Sequence, residues 1–145
     1  MNLSRLLKDA GVLSAPKTDV DITNITDDSR KITPGCAFVC IEGSRFDGHS
    51  AARAALEAGA GAVIAQKDIG LKEQVLVKDT RAAYSIMCGN FMGNPAQKLK
   101  LVGVTGTNGK TTTSFLLKDI FEALGEKTGL IGTVKNMVGD EEYPS

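Results

Sequence analysis

The sequence has little with which to bind zinc or build a disulfide framework. It contains one histidine, His49, and three cysteines, Cys36, Cys40 and Cys88. A lone histidine leaves no His/Cys ligand cluster. Cys36 and Cys40 are four positions apart, which is not the Cys-x-x-Cys spacing of a redox or zinc site, and three thiols cannot all pair within one chain. They read as small buried apolar residues of a reducing compartment. Net charge is missing as well: 17 Lys+Arg balance 17 Asp+Glu. A broad basic surface for nucleic acid is excluded on that count. No apolar stretch approaches the roughly 20 residues needed to cross a bilayer. The N-terminal run from Met1 to Asp9 interrupts its leucines with charges and is not a signal peptide. The expectation is a cytoplasmic protein.

What is present suits a folded chain. Hydrophobic residues make up 42% and charged residues 23% of the 145 residues, enough to bury a core and too apolar for a disordered tail. The pattern predicts an α/β organisation. Leu3 to Ala10 reads as a short helix stopped by Gly11. Val20 to Ile25 alternates as a strand does, and Ala37 to Ile41 is an apolar run of a buried strand. His49 to Ala58 is an alanine-rich helix, with Asp47 or Ser50 at its cap. Ala62 to Ala65 and Val75 to Val77 are further strands, and Thr80 to Phe91 is a helix ended by Gly93-Asn94-Pro95. That stop divides the chain into a mixed α/β domain over 1–93, a linker over 94–98 and a second domain beginning at 99. From there, Leu99 to Val104 reads as a strand. Lys110 to Leu124 reads as a helix with Phe115, Leu116, Leu117, Ile120, Phe121 and Leu124 along one stripe. Thr128 to Val134 reads as another strand. Together these make the first β-α-β unit of a nucleotide-binding domain over 99–145. The acidic run Asp140-Glu141-Glu142 reads as a solvated loop rather than a metal site.

Gly106-Thr107-Asn108-Gly109-Lys110-Thr111-Thr112 lies between the expected strand and helix, where a phosphate-binding loop belongs. Glycines let successive N–H groups turn toward one phosphate, and the helix adds its positive end. Lys110 can reach the β- and γ-phosphates as a mobile charge, and the Thr111 hydroxyl is a Mg²⁺ ligand candidate. The strict pattern wants glycine five positions before Gly109, where this chain has Val104.

The loop closely resembles the ATP loop of the Mur ligases, the ATP-dependent amide-bond ligases that build the peptidoglycan stem peptide. Asp28-Ser29-Arg30, Pro34-Gly35, Phe38-Val39, Gly43, Asp47-Gly48-His49, Gly59-Ala60 and Ala62-Val63-Ile64 resemble the first domain of the MurE and MurF types. Gly129 to Val134 resembles the MurE type. The MurF loop usually has Ser where Thr107 stands here. The resemblance implies a UDP-sugar-binding first domain and an ATP-binding domain with a P-loop. It implies Lys110 as the catalytic cation, residues 106–112 as ATP contacts and Thr111 as the Mg²⁺ ligand. Asp27, Ser29 and the loop Ser44-Arg45-Phe46 align with positions that contact the uridine diphosphate end. The family often has His-Gln where this chain has Ser44-Arg45. His49 is expected to be a structural hydrogen-bonding residue.

The implied activity is ligation in cell wall biogenesis, and so a role in cell shape and division. A diamino acid, diaminopimelate or lysine, is joined to UDP-N-acetylmuramoyl-L-Ala-D-Glu through an acyl phosphate by a monomeric enzyme. The modified lysine near the metals and the amino-acid-selecting third domain would lie beyond residue 145. The chain is therefore expected to be an N-terminal fragment inactive alone. The alternatives are a MurF-type fragment and a non-catalytic UDP-sugar or nucleotide-binding module.

Overall fold

A computed structural model describes residues 1–44 and 46–144. Two compact units emerge, Met1–Leu99 and Lys100–Ser145.

The first unit is built on five strands. They are β1 (Val12–Ser14), β2 (Ile25–Thr26), β3 (Ala37–Val39), β4 (Ala62–Ala65) and β5 (Gln74–Val77), in the spatial order β1-β5-β4-β3-β2. The four later strands are mutually parallel, with Ala37 opposite Ala62 and Ile64 opposite Val75. β1 closes one edge antiparallel to β5. Every residue of β3 and β4 is buried, as their unbroken apolar runs require in strands covered on both faces. Short helices supply that cover. α1 (Leu3–Leu6) and α3 (Thr80–Phe91) enclose Leu6, Ile22, Val39, Ile64, Val75 and Met87 on one face. α2 (Ala52–Glu57) packs with Phe38, Cys36, Cys40 and Val63 on the other. All three thiols are free. Burial, and then the charge of Asp47, pushes the Cys40 thiol up to about 12.

The local chemistry of α3 is the clearest. The Asp79 carboxylate accepts from the Arg81 and Ala82 N–H groups at 2.8 and 3.1 Å. At the other end, Gly93 and Asn94 turn left-handed ahead of Pro95. Asp79→Ala is expected to cost the first unit about 1 kcal/mol, read as a lower urea midpoint at unchanged slope.

Three expectations change here. Val20 to Ile25 is not a strand; only Ile25–Thr26 pairs with β3, and Asp21 makes a single bridge to Asn2. The helix expected over His49 to Ala58 begins as a 3-10 turn, Gly48–Ala51, and becomes α2 only from Ala52. Residues 94–98 form a 3-10 turn, Pro95–Lys98, within the first unit.

In the second unit α4 spans Lys110–Ala123 and is followed by β6 (Gly129–Leu130), β7 (Asn136–Val138) and β8 (Glu141–Tyr143). These three strands form an antiparallel sheet in sequence order. The α/β class stands, but the expected β-α-β unit does not. An apolar run becomes a strand only where a neighbouring strand takes its N–H and C=O groups, and among the described residues no strand pairs with Leu99 to Val104. Thr128 to Val134 contributes only Gly129 and Leu130, because its next stretch folds back as β7. The apolar stripe of α4 divides: Phe115, Leu117 and Phe121 are half-buried, whereas Leu116, Ile120 and Leu124 are exposed. Asp140-Glu141-Glu142 is not a loop throughout, since Glu141 and Glu142 lie in β8. Glu142 pairs there with Lys135.

Candidate functional site

The glycine-rich loop combines a left-handed turn with an open helix end. Gly106 and Gly109 have φ of 147° and 75°. A Cβ at Gly109 would meet nothing within 4 Å, so the requirement there is conformational rather than steric. Gly109 is the N-cap of α4 and offers no side-chain bond to the first-turn N–H groups, nor is there an acidic residue in that turn. Asp79 shows how this chain caps a helix when the end is closed. At α4 the cap is left out, and the unsatisfied N–H groups of a 14-residue helix face outward with its positive pole. Thr107, Asn108, Thr111 and Thr112 are all exposed along this turn. Lys110 Nζ donates to the Gly106 carbonyl at 2.6 Å. The lysine thus spans its own loop and sits where an anion held by the loop N–H groups would meet it.

The Thr111 hydroxyl is a single hard oxygen ligand beside that position. Among the described residues no group of three or more His, Cys, Asp or Glu is arranged to hold a metal ion. A lone hydroxyl fits Mg²⁺ as that ion is usually held with nucleotides, by few protein oxygens with phosphates and water.

A separate cleft of about 540 Å³ opens in the first unit where the chain leaves β2. Its walls are Asp27, Asp28, Ser29, Arg30 and Phe46. Asp28 caps the 3-10 turn Ser29–Lys31 through the Arg30 N–H. It also grips the Arg30 guanidinium with both oxygens, at 2.9 and 2.8 Å. That bond holds the Asp28 carboxyl down at about 2. The half-buried Tyr84 of α3 has its hydroxyl shifted upward, chiefly by burial and then by the charge of Asp27.

Of the expected contacts, Asp27, Ser29 and Phe46 share this cleft, while Ser44 is exposed and is not among its walls. Arg45 lies outside the described residues. Arg30 and Asp28 enter the site as an ion pair that the motif alone did not single out. The available signal was an arginine two residues after an aspartate, a spacing that lets one carboxylate cap a turn and clamp the side chain at once.

His49 is a brace. Its Nδ1 lies 2.6 Å from Asp47 Oδ1, and Nε2 accepts from the Gln66 N–H at 3.2 Å, which puts the ring proton on Nδ1. The His49 side chain is 6% exposed, too enclosed to meet a substrate. The His49 hydrogen bonds, chiefly the one from its side chain, lower Asp47 to about 2. Asp28 and Asp47 thus protonate at lower pH in the folded chain than in the unfolded chain, where the ordinary value is 3.8. Their stabilisation is complete above about pH 4 and disappears as the pH falls toward 2. Urea unfolding between pH 2 and 5 is expected to show that decline, with a smaller slope in Asp47→Asn.

A second cleft, of about 420 Å³, lies beyond the ends of β4 and β5. Two of its three cations, Lys67, Lys78 and Arg81, are engaged internally: Lys67 bonds Glu42 and reaches Asp47, and Arg81 bonds the Glu42 carbonyl. Among the described residues no helix is long and apolar enough to cross a membrane.

Comparison with known proteins follows the same division. Residues 21–94 match the family model described as Mur ligase family, catalytic domain, and residues 104–144 match the Mur ligase middle domain. The chain is 48% identical over 124 residues to the UDP-N-acetylmuramoyl-L-alanyl-D-glutamate--2,6-diaminopimelate ligase of Clostridium perfringens, covering 83% of this chain and 26% of that relative. A solved structure of a ligase of that name superposes with a TM-score of 0.69 at 27% identity, over 85% of this chain and 26% of the other. MurF ligase from Thermotoga maritima, solved in complex with ADP, gives a TM-score of 0.54 at 30% identity, over 72% of this chain and 24% of that one. The chain spans about a quarter to a third of the length of the curated relatives it matches. With one family model covering 21–94 and the family's middle domain following it in order, the chain belongs to the Mur ligase family.

Proposed function

We propose that the chain is the substrate-binding and nucleotide-binding N-terminal portion of a cytoplasmic, ATP-dependent ligase that adds diaminopimelate to UDP-N-acetylmuramoyl-L-Ala-D-Glu. The first unit is the UDP-sugar domain and the second begins the ATP domain. The observation that carries this reading is the uncapped α4 with Lys110 across its loop, following a unit whose cleft gathers Asp27, Ser29 and Phe46. Support for the amino acid comes from the 48% identical relative named for 2,6-diaminopimelate.

The chemistry follows from what the residues offer. A carboxylate is a poor electrophile, so it is first phosphorylated by ATP, and the amino group of the incoming diamino acid then displaces phosphate. Phosphoryl transfer needs positioning and charge neutralisation more than covalent help. The first-turn N–H groups of α4 and residues 106–112 hold the phosphates. Lys110 leaves the Gly106 carbonyl and places its ammonium on the β- and γ-oxygens. Thr111 holds Mg²⁺, which supplies further neutralisation of phosphate charge. Asp27, Ser29, Ser44, Arg45 and Phe46 hold the uridine diphosphate end.

Two assays test the reading. The 145-residue chain is expected to bind UDP-N-acetylmuramoyl-dipeptide and ATP saturably and to show no turnover. The complete reading frame that contains it is expected to incorporate labelled diaminopimelate. Incorporation of lysine, or of D-Ala-D-Ala as a MurF-type enzyme would give, overturns the amino-acid assignment. Absence of both bindings overturns the whole.

A further inference from the structure

The loop that carries Ser44 and Phe46 is flanked by two acids, Glu42 and Asp47. Its ends are drawn together: Glu42 and Asp47 form an antiparallel bridge, and the Gly43 N–H donates to the Phe46 carbonyl at 2.8 Å. Two carboxylates at the neck of one short loop repel each other and any anion brought near it. One ammonium answers both. Lys67, two residues past the end of β4, donates from Nζ to Glu42 Oε2 at 2.6 Å and to Asp47 Oδ2 at 3.4 Å. Its pKa is raised, chiefly by the bond to Glu42.

The two acids depend on Lys67 unequally. Asp47 is also fixed by the His49 N–H and ring. Among the described residues Lys67 is the side chain that bonds the Glu42 carboxylate, while Arg81 reaches only the Glu42 backbone carbonyl, at 3.0 Å. The direction of that hold matters. Phe46 lines the cleft of Asp27 and Ser29, whereas Glu42 and Lys67 line the other cleft, beyond the ends of β4 and β5. The lysine therefore keeps the Glu42 carboxylate on the side of the loop away from the Phe46 cleft. Lys67 and Glu42 are each about half exposed, at 51% and 49%. An ion pair so open to water adds little to fold stability, so its consequence is the charge it sets around the loop.

We propose that Lys67 is a positioning residue for the substrate loop: it holds the Glu42 carboxylate turned away and offsets the charge of Asp47, so that the loop can receive an anionic diphosphate. The proposal rests on the reading of the first unit as the UDP-substrate domain. Lys67 does not touch the ligand in this arrangement. Removing its ammonium frees Glu42 to turn toward a bound diphosphate and leaves two uncompensated negative charges at the loop neck. The Arg81 tether and the backbone bonds of the loop remain.

The test uses the 145-residue chain with UDP as the probe. Lys67→Met is expected to weaken UDP binding about fivefold at low salt with little change in melting temperature. Adding Glu42→Gln to Lys67→Met is expected to bring affinity back to within about twofold of the parent, since the mobile charge is then gone. In about 1 M KCl, where the Debye length is about 3 Å, parent and Lys67→Met are expected to differ by less than about twofold. A merely structural lysine would give a loss that neither salt nor Glu42→Gln repairs, and that result overturns the proposal. So does equal low-salt UDP affinity of the parent and Lys67→Met. A parent chain that binds no UDP overturns the domain reading together with it.

Discussion

Lys110→Met lowers the affinity of the chain for ATP by about a hundredfold. A charge-assisted bond to phosphate is worth about 1.5–3 kcal/mol, and 1.4 kcal/mol is a factor of ten. The structure makes the loss specific. Lys110 Nζ already lies across the loop on the Gly106 carbonyl, so a phosphate gathered by the first-turn N–H groups finds an ammonium one rotamer away. Methionine keeps the stem and removes the charge. The helix end and the glycine turn survive, because Gly109 rather than Lys110 forms the cap, and a residual affinity remains from those N–H groups. Lys110→Arg recovers only part of the loss, since a planar fork cannot replace a compact ammonium inside a tight loop. Titration calorimetry with ATP and ADP checks this, and unchanged affinity in Lys110→Met would remove the loop from the nucleotide site.

Gly48→Ala destabilises the first unit by about 3 kcal/mol and lowers its Tm by about 15 °C. A Cβ at this buried position would stand 2.8 Å from the Ile41 nitrogen, 3.0 Å from its oxygen and 3.1 Å from Cys40 Cα. All three are backbone atoms, so no rotamer change relieves the clash. The Gly48 N–H also donates to the Ile41 carbonyl at 3.0 Å, and a forced separation loses that bond. By contrast Gly103→Ala, whose Cβ meets nothing within 4 Å, shifts stability by less than about 0.5 kcal/mol. Gly48 lies between Asp47 and His49, so its substitution also disturbs the bonds between them. Thermal unfolding of both variants decides the matter, and equal Tm values would mean that the Cys40–Ile41 segment yields more readily than its burial implies.

Helix α3 has the bounds expected for it, Thr80–Phe91; its stop at Gly93-Asn94-Pro95 was legible in the sequence, whereas the Asp79 cap was found only in the structure. The continuous apolar runs of β3 and β4 named the buried centre of the sheet. β1 was missed, since Val12, Leu13 and Ser14 are all exposed and carry neither alternation nor a buried run. The β7–β8 hairpin was missed because glutamate is a poor strand former. There a turn at Gly139, with φ 58°, and the pairing of Glu142 with Lys135 outweigh local preference.

The sequence by itself determined the family, the α/β class and the glycine turn that opens helix α4. Each of these depends on neighbours along the chain: a glycine turn before a helix, a cap, a stop, an apolar run. Only the tertiary structure decided that Phe46 joins Asp27 and Ser29 in one cleft, that Arg30 is clamped there by Asp28, and that His49 is locked between Asp47 and Gln66. It also decided that Leu99 to Val104 pairs with no strand among the described residues. Those outcomes depend on which backbone or side chain arrives from elsewhere, and pairing, burial and ion-pair geometry exist only once it has arrived.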